Sequence, residues 1–151
     1  MVDIIICDTR ERKNKRIIQY FKTHNIPYIE QKLETGDYMD SEKMDTTIDR
    51  KQNLGELLCN MCSKDKRRFW DEIRRAHETG IRFIILCEHG GTYKDIKDVA
   101  GYKDKHSKVP GRALMNQMYR AQIAYGVEFL FCDKRSTGRR IVELLGCSSH
   151  D

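Results

Sequence analysis

Apolar residues come along this chain in short blocks separated by charge, and the spacing inside each block sorts them into strands and helices. Ile4-Ile5-Ile6-Cys7 is a continuous apolar run, as expected of a strand covered on both faces. A burst of charge from Asp8 to Arg16 follows. Ile17, Ile18 and Phe21 then recur at helical spacing until Asn25 and Pro27 close the helix. Tyr28 to Leu33 is short and mixed and reads as a second strand. Gly36-Asp37-Tyr38-Met39 and Thr46-Thr47-Ile48-Asp49 flank a polar turn, Asp40 to Asp45, which predicts a hairpin. Leu54, Leu57, Leu58 and Met61 mark an amphipathic helix, and Phe69, Ile73 and Ala76 mark a second one that stops at Gly80. Arg82 to Cys87 is the strongest central strand and runs into Glu88-His89-Gly90-Gly91. Residues 92–110 are polar and predict a short helix plus a loop. Gly111 to Tyr125 reads as a helix with Leu114, Met118, Ala121 and Tyr125 on one side. Val127 to Cys132 is the last strand and Thr137 to Leu145 the last helix.

Strands and helices therefore interleave as β α β β β α α β α α β α. That order predicts an α/β fold, a mixed central β-sheet flanked by helices, in a single domain over residues 1–151 with no internal repeat or linker. Charged residues make up 34% of the chain and the formal net charge is +5, a balance that favours an anionic partner. No apolar run approaches the roughly 20 residues of a membrane helix, so no membrane role is expected. The first residues carry an acid and lack the basic start of a secretion signal. Six cysteines are scattered, three of them (Cys7, Cys87, Cys132) inside apolar strands, the pattern of reduced thiols in a cytoplasmic setting.

The chemistry concentrates in Gly36-Asp37-Tyr38 and Thr47-Ile48-Asp49-Arg50-Lys51. Asp49 and Lys51 are two apart, so on a strand they share a face, and the hairpin brings Asp37 beside them. By itself an acid-x-Lys pair on a strand is most often a solvated ion pair. The stretch Asp8-Thr9-Arg10-Glu11, at the end of the first strand, adds carboxylates along the same sheet edge, where α/β sheets usually place their sites. Two carboxylates suit Mg²⁺, a hard cation that activates water and offsets charge on a phosphate, and a lysine suits the attacking water or the developing negative charge.

Ile6-Cys7-Asp8-Thr9-Arg10-Glu11, Gly36-Asp37-Tyr38 and Asp49-Arg50-Lys51 together resemble the nuclease domain of the XPF and Hef structure-selective DNA endonucleases, members of the restriction-endonuclease-like PD-(D/E)XK superfamily. The likeness continues through Arg67-Arg68-Phe69, the Phe83 to Glu88 strand and Val127 to Leu145. It implies a metal-dependent endonuclease that cuts branched DNA (flap, fork or junction) in repair or recombination, with Mg²⁺ as cofactor and Mn²⁺ able to substitute. By the same resemblance Asp37 and Asp49 ligate the metal, Asp8 and Glu11 support it or a second ion, Lys51 serves the water, and Arg10 and Arg50 position acids or a phosphate. A homodimer or a partner subunit is implied too. A small self-standing nuclease domain is also expected in a prokaryotic or phage-infected host cell, in the cytoplasm near the nucleoid. Larger members carry a helix-hairpin-helix module, which is not expected within these residues. A Holliday-junction resolvase of the same superfamily and a non-catalytic branched-DNA-binding module are the alternatives.

Two departures stand out. Asp49 occupies a position where the family usually has Glu. The family's next Asp, four residues after the lysine, falls on Gly55, with Glu56 beside it. Outside the motif, Arg67 and Arg68, and Lys105 and Lys108 of a basic loop, are the candidate contacts to DNA, against the plainer reading of solvated surface. Cys59-x-x-Cys62 and Cys147-x-x-His150 have zinc-like spacing but read as a packed helix end and a frayed tail. His77 and His89 read as structural, and Gly90-Gly91 lacks the pattern of a nucleotide-binding loop.

Overall fold

A computed structural model describes residues 4–146. All twelve expected elements form, in the expected order: β1 (Ile5–Cys7), α1 (Lys15–Thr23), β2 (Tyr28–Glu30), β3 (Tyr38–Asp40), β4 (Thr46–Lys51), α2 (Leu54–Cys62), α3 (Arg67–Glu78), β5 (Arg82–Cys87), a 3₁₀ turn (Ile96–Gly101), α4 (Gly111–Tyr125), β6 (Glu128–Phe131) and α5 (Thr137–Leu145). The strands make one mixed sheet in the order β2-β1-β3-β4-β5-β6. Antiparallel pairing holds β1 to β3 and β3 to β4, and the other neighbours run parallel.

Two differences from the pattern have local causes. β2 ends at Glu30 because the following polar residues face solvent and only Leu33 turns back into the core. In residues 92–110 the short helix is a 3₁₀ turn, opened by Asp95 and Asp98, whose side chains cap each other's backbone N–H groups reciprocally.

Helices cover both faces of the sheet. On one, α2, α3, α4 and the 3₁₀ turn bury Leu57, Met61, Ile73, Val99 and Met118 against Phe83, Ile85 and Cys87 of β5. On the other, α1 and α5 bury Phe21 and Ile141 against Ile5, Tyr38, Ile48, Ile84 and Leu86. The alternation of β5 between the two layers is the period of two expected of a doubly covered strand. β4 obeys the same period, but its last three residues are charged. Asp49 and Lys51 fall on the α2/α3 face and Arg50 on the α1/α5 face. Among the described residues, no helix is long and apolar enough to cross a membrane.

Candidate active site

Three neighbouring strands deliver three aspartates to one edge of the sheet. Asp37, just before β3, donates its backbone N–H to the Ile48 carbonyl at 2.8 Å, and its own carbonyl accepts from the Asp8 N–H at 2.8 Å. These bonds set Asp37 between the end of β1 and the Asp49 position of β4. Gly36 makes the approach possible. Its φ is +71°, and a Cβ there would collide with the Thr47 side chain. The Gly-Asp pair is thus a steric requirement of the hairpin mouth.

The Asp37 carboxylate accepts the Arg50 backbone N–H at 2.7 Å and lies in hydrogen-bond contact with the carboxyl of Asp49. Burial first, then the charges of Asp49 and Glu11, push the Asp37 carboxyl well above the usual carboxylate range. Lys51 sits opposite, with Nζ 3.3 Å from Asp49 Oδ1 and 4.9 Å from the centroid of the Phe69 ring. Burial works against its charge, but Asp49, Glu56 and Asp37 outweigh it and hold the ammonium above its ordinary pKa. Lys51 therefore stays cationic.

A further acid completes the group. Glu72, from α3, accepts the Gly36 N–H at 2.9 Å, and burial together with the Asp49 charge raises its carboxyl. Glu72 lies outside the motifs read from the sequence. It stands three residues after Phe69 and four before Ala76, on the same helical stripe as the buried residues, and a charge on that stripe was the available signal.

The other residues named from sequence divide among different surroundings. Asp8 lines the cleft, but its oxygens are already engaged. Oδ2 accepts from the Arg10 Nε and backbone N–H, and Oδ1 from a second guanidinium nitrogen and from the Leu33 N–H at 2.7 Å. Burial opposes ionisation of Asp8, yet these donors bring its pKa below the ordinary value. Glu11 and Arg50 meet each other on the opposite face of β4. Arg50 Nε donates to Glu11 at 2.7 Å, one guanidinium nitrogen to Glu88 at 2.9 Å and the other to the Arg12 carbonyl at 2.6 Å. Tyr38 adds its hydroxyl to Glu11, and Thr137 adds its own to Glu88. The strand's period of two sends Arg50 away from Asp49 and Lys51, and Glu11 reaches Asp37 only through its field.

The cleft has a volume of about 1030 Å³, with Asp37, Asp49, Lys51 and Glu72 on its floor and Arg10, Arg67, Arg68 and Arg75 on its walls. Arg67 and Arg68 are exposed at the start of α3. Lys105 and Lys108 lie outside the cleft, on the loop after the 3₁₀ turn. Lys105 lines a second cavity that shares Cys59 and Ser63 with the cleft. At Gly55 a Cβ would lie 2.8 Å from Asp104 Oδ1 and 3.2 Å from the Tyr102 hydroxyl, so the space of a side chain at 55 is taken by the Asp104–Tyr102 pair. Glu56 instead accepts the Gln52 N–H at 2.8 Å, closing the turn into α2. Cys59 is exposed and Cys62 half-buried, both free thiols, and His89 accepts the Leu54 N–H through Nδ1 at 3.0 Å. Cys147 and His150 lie outside the described residues.

Among the described residues, no three His, Cys, Asp or Glu side chains gather closely enough to hold an ion by themselves. The donor chemistry still fits Mg²⁺. Asp37 and Asp49 are hard oxygen donors in contact, and burial with the charge of Asp49 drives the Asp37 carboxyl toward the neutral form. Asn60, which lines the same cleft, has a buried Oδ1 that accepts no hydrogen bond. Mg²⁺ commonly takes only one or two carboxylates and completes its octahedron with water and phosphate oxygens.

That arrangement has a measurable consequence. A carboxyl whose folded pKa is raised contributes stability that is full below its unfolded pKa, about 4, and is lost as pH rises through the folded value. In the metal-free protein the contribution of Asp37 is thus expected to fall as pH rises above about 4, against the opposite trend of Asp8. Asp37→Asn should remove that slope and raise the metal-free Tm near neutrality. Mg²⁺ should raise the Tm of the parent and leave the variant's unchanged, as thermal melts with and without the ion would show.

A mixed-sheet α/β domain with paired carboxylates and a lysine at adjacent strand ends defines the class structurally. The ERCC4 domain family model matches residues 7–144, and the chain belongs to the ERCC4 domain family. Among solved structures it is similar to XPF from Aeropyrum pernix, with a TM-score of 0.72 and 17% identity over 97% of this chain and 65% of that one. XPF from Aeropyrum pernix in complex with DNA gives a TM-score of 0.68 and 19% identity, again over 97% and 65%. At such identities the likeness carries the fold, a mixed sheet flanked by helices. The chain spans about 65% of the length of these matched chains. Among curated proteins none matches the chain by sequence.

Proposed function

We propose that this chain is a metal-dependent, structure-selective DNA endonuclease, working as a homodimer or with a partner subunit. The observation that carries the reading is the contact of Asp37 with Asp49, with the Lys51 ammonium 3.3 Å from Asp49, on the floor of an arginine-walled cleft. Family membership and the fold shared with an XPF structure that holds DNA support it.

Asp37 and Asp49 would hold Mg²⁺, with Mn²⁺ as substitute, and the ion would supply a Lewis acid that makes water more acidic and screens phosphate charge. The chain's own residues then have separable tasks. Lys51, kept cationic by its acids, donates to the attacking water or to a phosphate oxygen as negative charge grows on phosphorus. Glu72 fixes the Gly36 turn and with it the aim of Asp37. Water adds to phosphorus and the bond to the 3′ oxygen breaks, leaving a 5′-phosphate and a 3′-hydroxyl.

The test is cleavage of labelled duplex, flap, fork and four-way junction in Mg²⁺, with and without chelator. Cutting of branched DNA that chelator stops is the expected result. Paired symmetric cuts confined to the junction would make it a resolvase, and binding without any cutting would make it a non-catalytic module.

Arg67 and Arg68 supply the cleft with positive charge that no described carboxylate pairs. Replacing both by Ala should weaken DNA binding and reduce the slope of log K against log salt by about 1–2, since each phosphate contact contributes about 0.9. Titrations at several salt concentrations read this directly, and an unchanged slope would return both arginines to the solvated surface.

A further inference from the structure

A second cavity adjoins the acidic cleft, and its lining differs in kind. It has a volume of about 810 Å³, within the range of small-molecule sites. The rings of His89, Tyr93 and Tyr102 form its inner wall, packed edge to face with centroids 4.9–6.1 Å apart. The opposite rim is the loop of residues 103–109, which brings Lys103, Lys105 and His106 to the opening. Cys59 and Ser63 belong to the walls of both spaces, so the cavity adjoins the cleft where the carboxylates gather.

The loop is anchored where it matters. Tyr102 donates its hydroxyl to Asp104 at 2.6 Å, and Asp104 accepts the His106 N–H at 3.0 Å. Gly111 closes the loop by donating its N–H to the Tyr102 carbonyl at 3.1 Å, at a spot where a Cβ would strike the Val99 and Tyr102 carbonyls. Gly55 leaves the room that Asp104 fills. Rings, cationic rim and loop anchors are therefore held together by bonds that the carboxylate site does not need.

We propose that this cavity binds an unpaired nucleotide of the DNA, its base against the Tyr93 and Tyr102 rings and its phosphate on Lys103 and Lys105. The chemistry is that of single-strand recognition, in which aromatic faces take bases regardless of sequence and lysines track the backbone. A paired base is already stacked inside its duplex and has no face to offer. Such a site would let this nuclease domain favour a branch point, where unpaired nucleotides lie beside the scissile phosphate. The proposal rests on the DNA-cutting reading and assigns it a substrate feature.

The test compares a fork with single-stranded arms and a blunt duplex of equal length. Both are bound in Ca²⁺, with 2-aminopurine at the first unpaired position of the fork. Tyr93→Ala should weaken fork binding about tenfold and abolish the quenching of 2-aminopurine, while duplex binding stays within about twofold. Tyr93→Phe should restore both readouts, which separates loss of the ring from misfolding, and Lys103→Ala with Lys105→Ala should also affect the fork selectively. Equal loss on fork and duplex, or no loss on either, would overturn the site. So would a parent protein that binds both DNAs alike. Failure of the parent to bind any DNA would instead remove the nuclease reading beneath it.

Discussion

Asp49→Asn and Lys51→Ala should each abolish cutting while leaving DNA binding in Ca²⁺ intact. The two act at different points of one contact. Asn keeps the shape of Asp49 but removes its charge, so the pair with Asp37 no longer calls for a cation, and the Lys51 ammonium loses its nearest anion at 3.3 Å. Ala at 51 leaves Asp49 in place but removes the only cation among the described residues that contacts it. Losing one such charge-stabilising donor lowers kcat by about 10²–10³-fold in comparable sites. Asp49→Glu offers a graded third case. The longer acid should keep substantial activity, because Glu offers the same oxygen donors from a position that lines the cleft. Single-turnover cleavage of a fork, with binding measured in parallel, separates these outcomes. Undiminished cutting by Asp49→Asn would refute the assignment of the site.

Much of this site was legible because strands obey a short period. Asp49 and Lys51 two apart, and a hairpin returning Asp37, suffice to place three side chains together without knowing the fold. The same period sends Arg50 to the other face, and the resemblance, which groups residues by motif, named it and Glu11 beside the others without marking the side of the sheet. Glu72 was harder to see. A helix mixes buried and exposed positions every three to four residues, and a glutamate flanked by charge looks solvated unless its angular position is compared with Phe69, Ile73 and Ala76. Asp104 was not legible at all. Nothing local connects it to Gly55, and only the folded loop shows that its carboxylate fills the space where the resemblance looked for an acid.

Arg50→Met is expected to destabilise the fold by about 3–5 kcal/mol, the range for removing one partner of a buried ionic group. The guanidinium is only 3% exposed, and its partners Glu11 and Glu88 are 9% and 7% exposed. Burial disfavours the charge of Arg50, yet its pKa is raised because Glu11 and then Glu88 more than compensate. Without it, two carboxylates would stand close together with the Tyr38 and Thr137 hydroxyls and the Arg12 backbone N–H as their remaining donors. The loss should therefore come mainly from uncompensated acids and not from missing packing, since Met fills most of the vacated volume. Adding Glu11→Gln and Glu88→Gln to Arg50→Met tests that directly. The triple variant should recover most of the stability in urea melts, as buried ionic groups replaced together often do. A triple variant as unstable as Arg50→Met would show that the arginine acts through its bond to the Arg12 carbonyl, holding the Asp8–Asn14 loop. The network sits behind the Asp49 face without touching the cleft, so the triple variant should cut DNA once folded, whereas Lys51→Ala should fold and not cut.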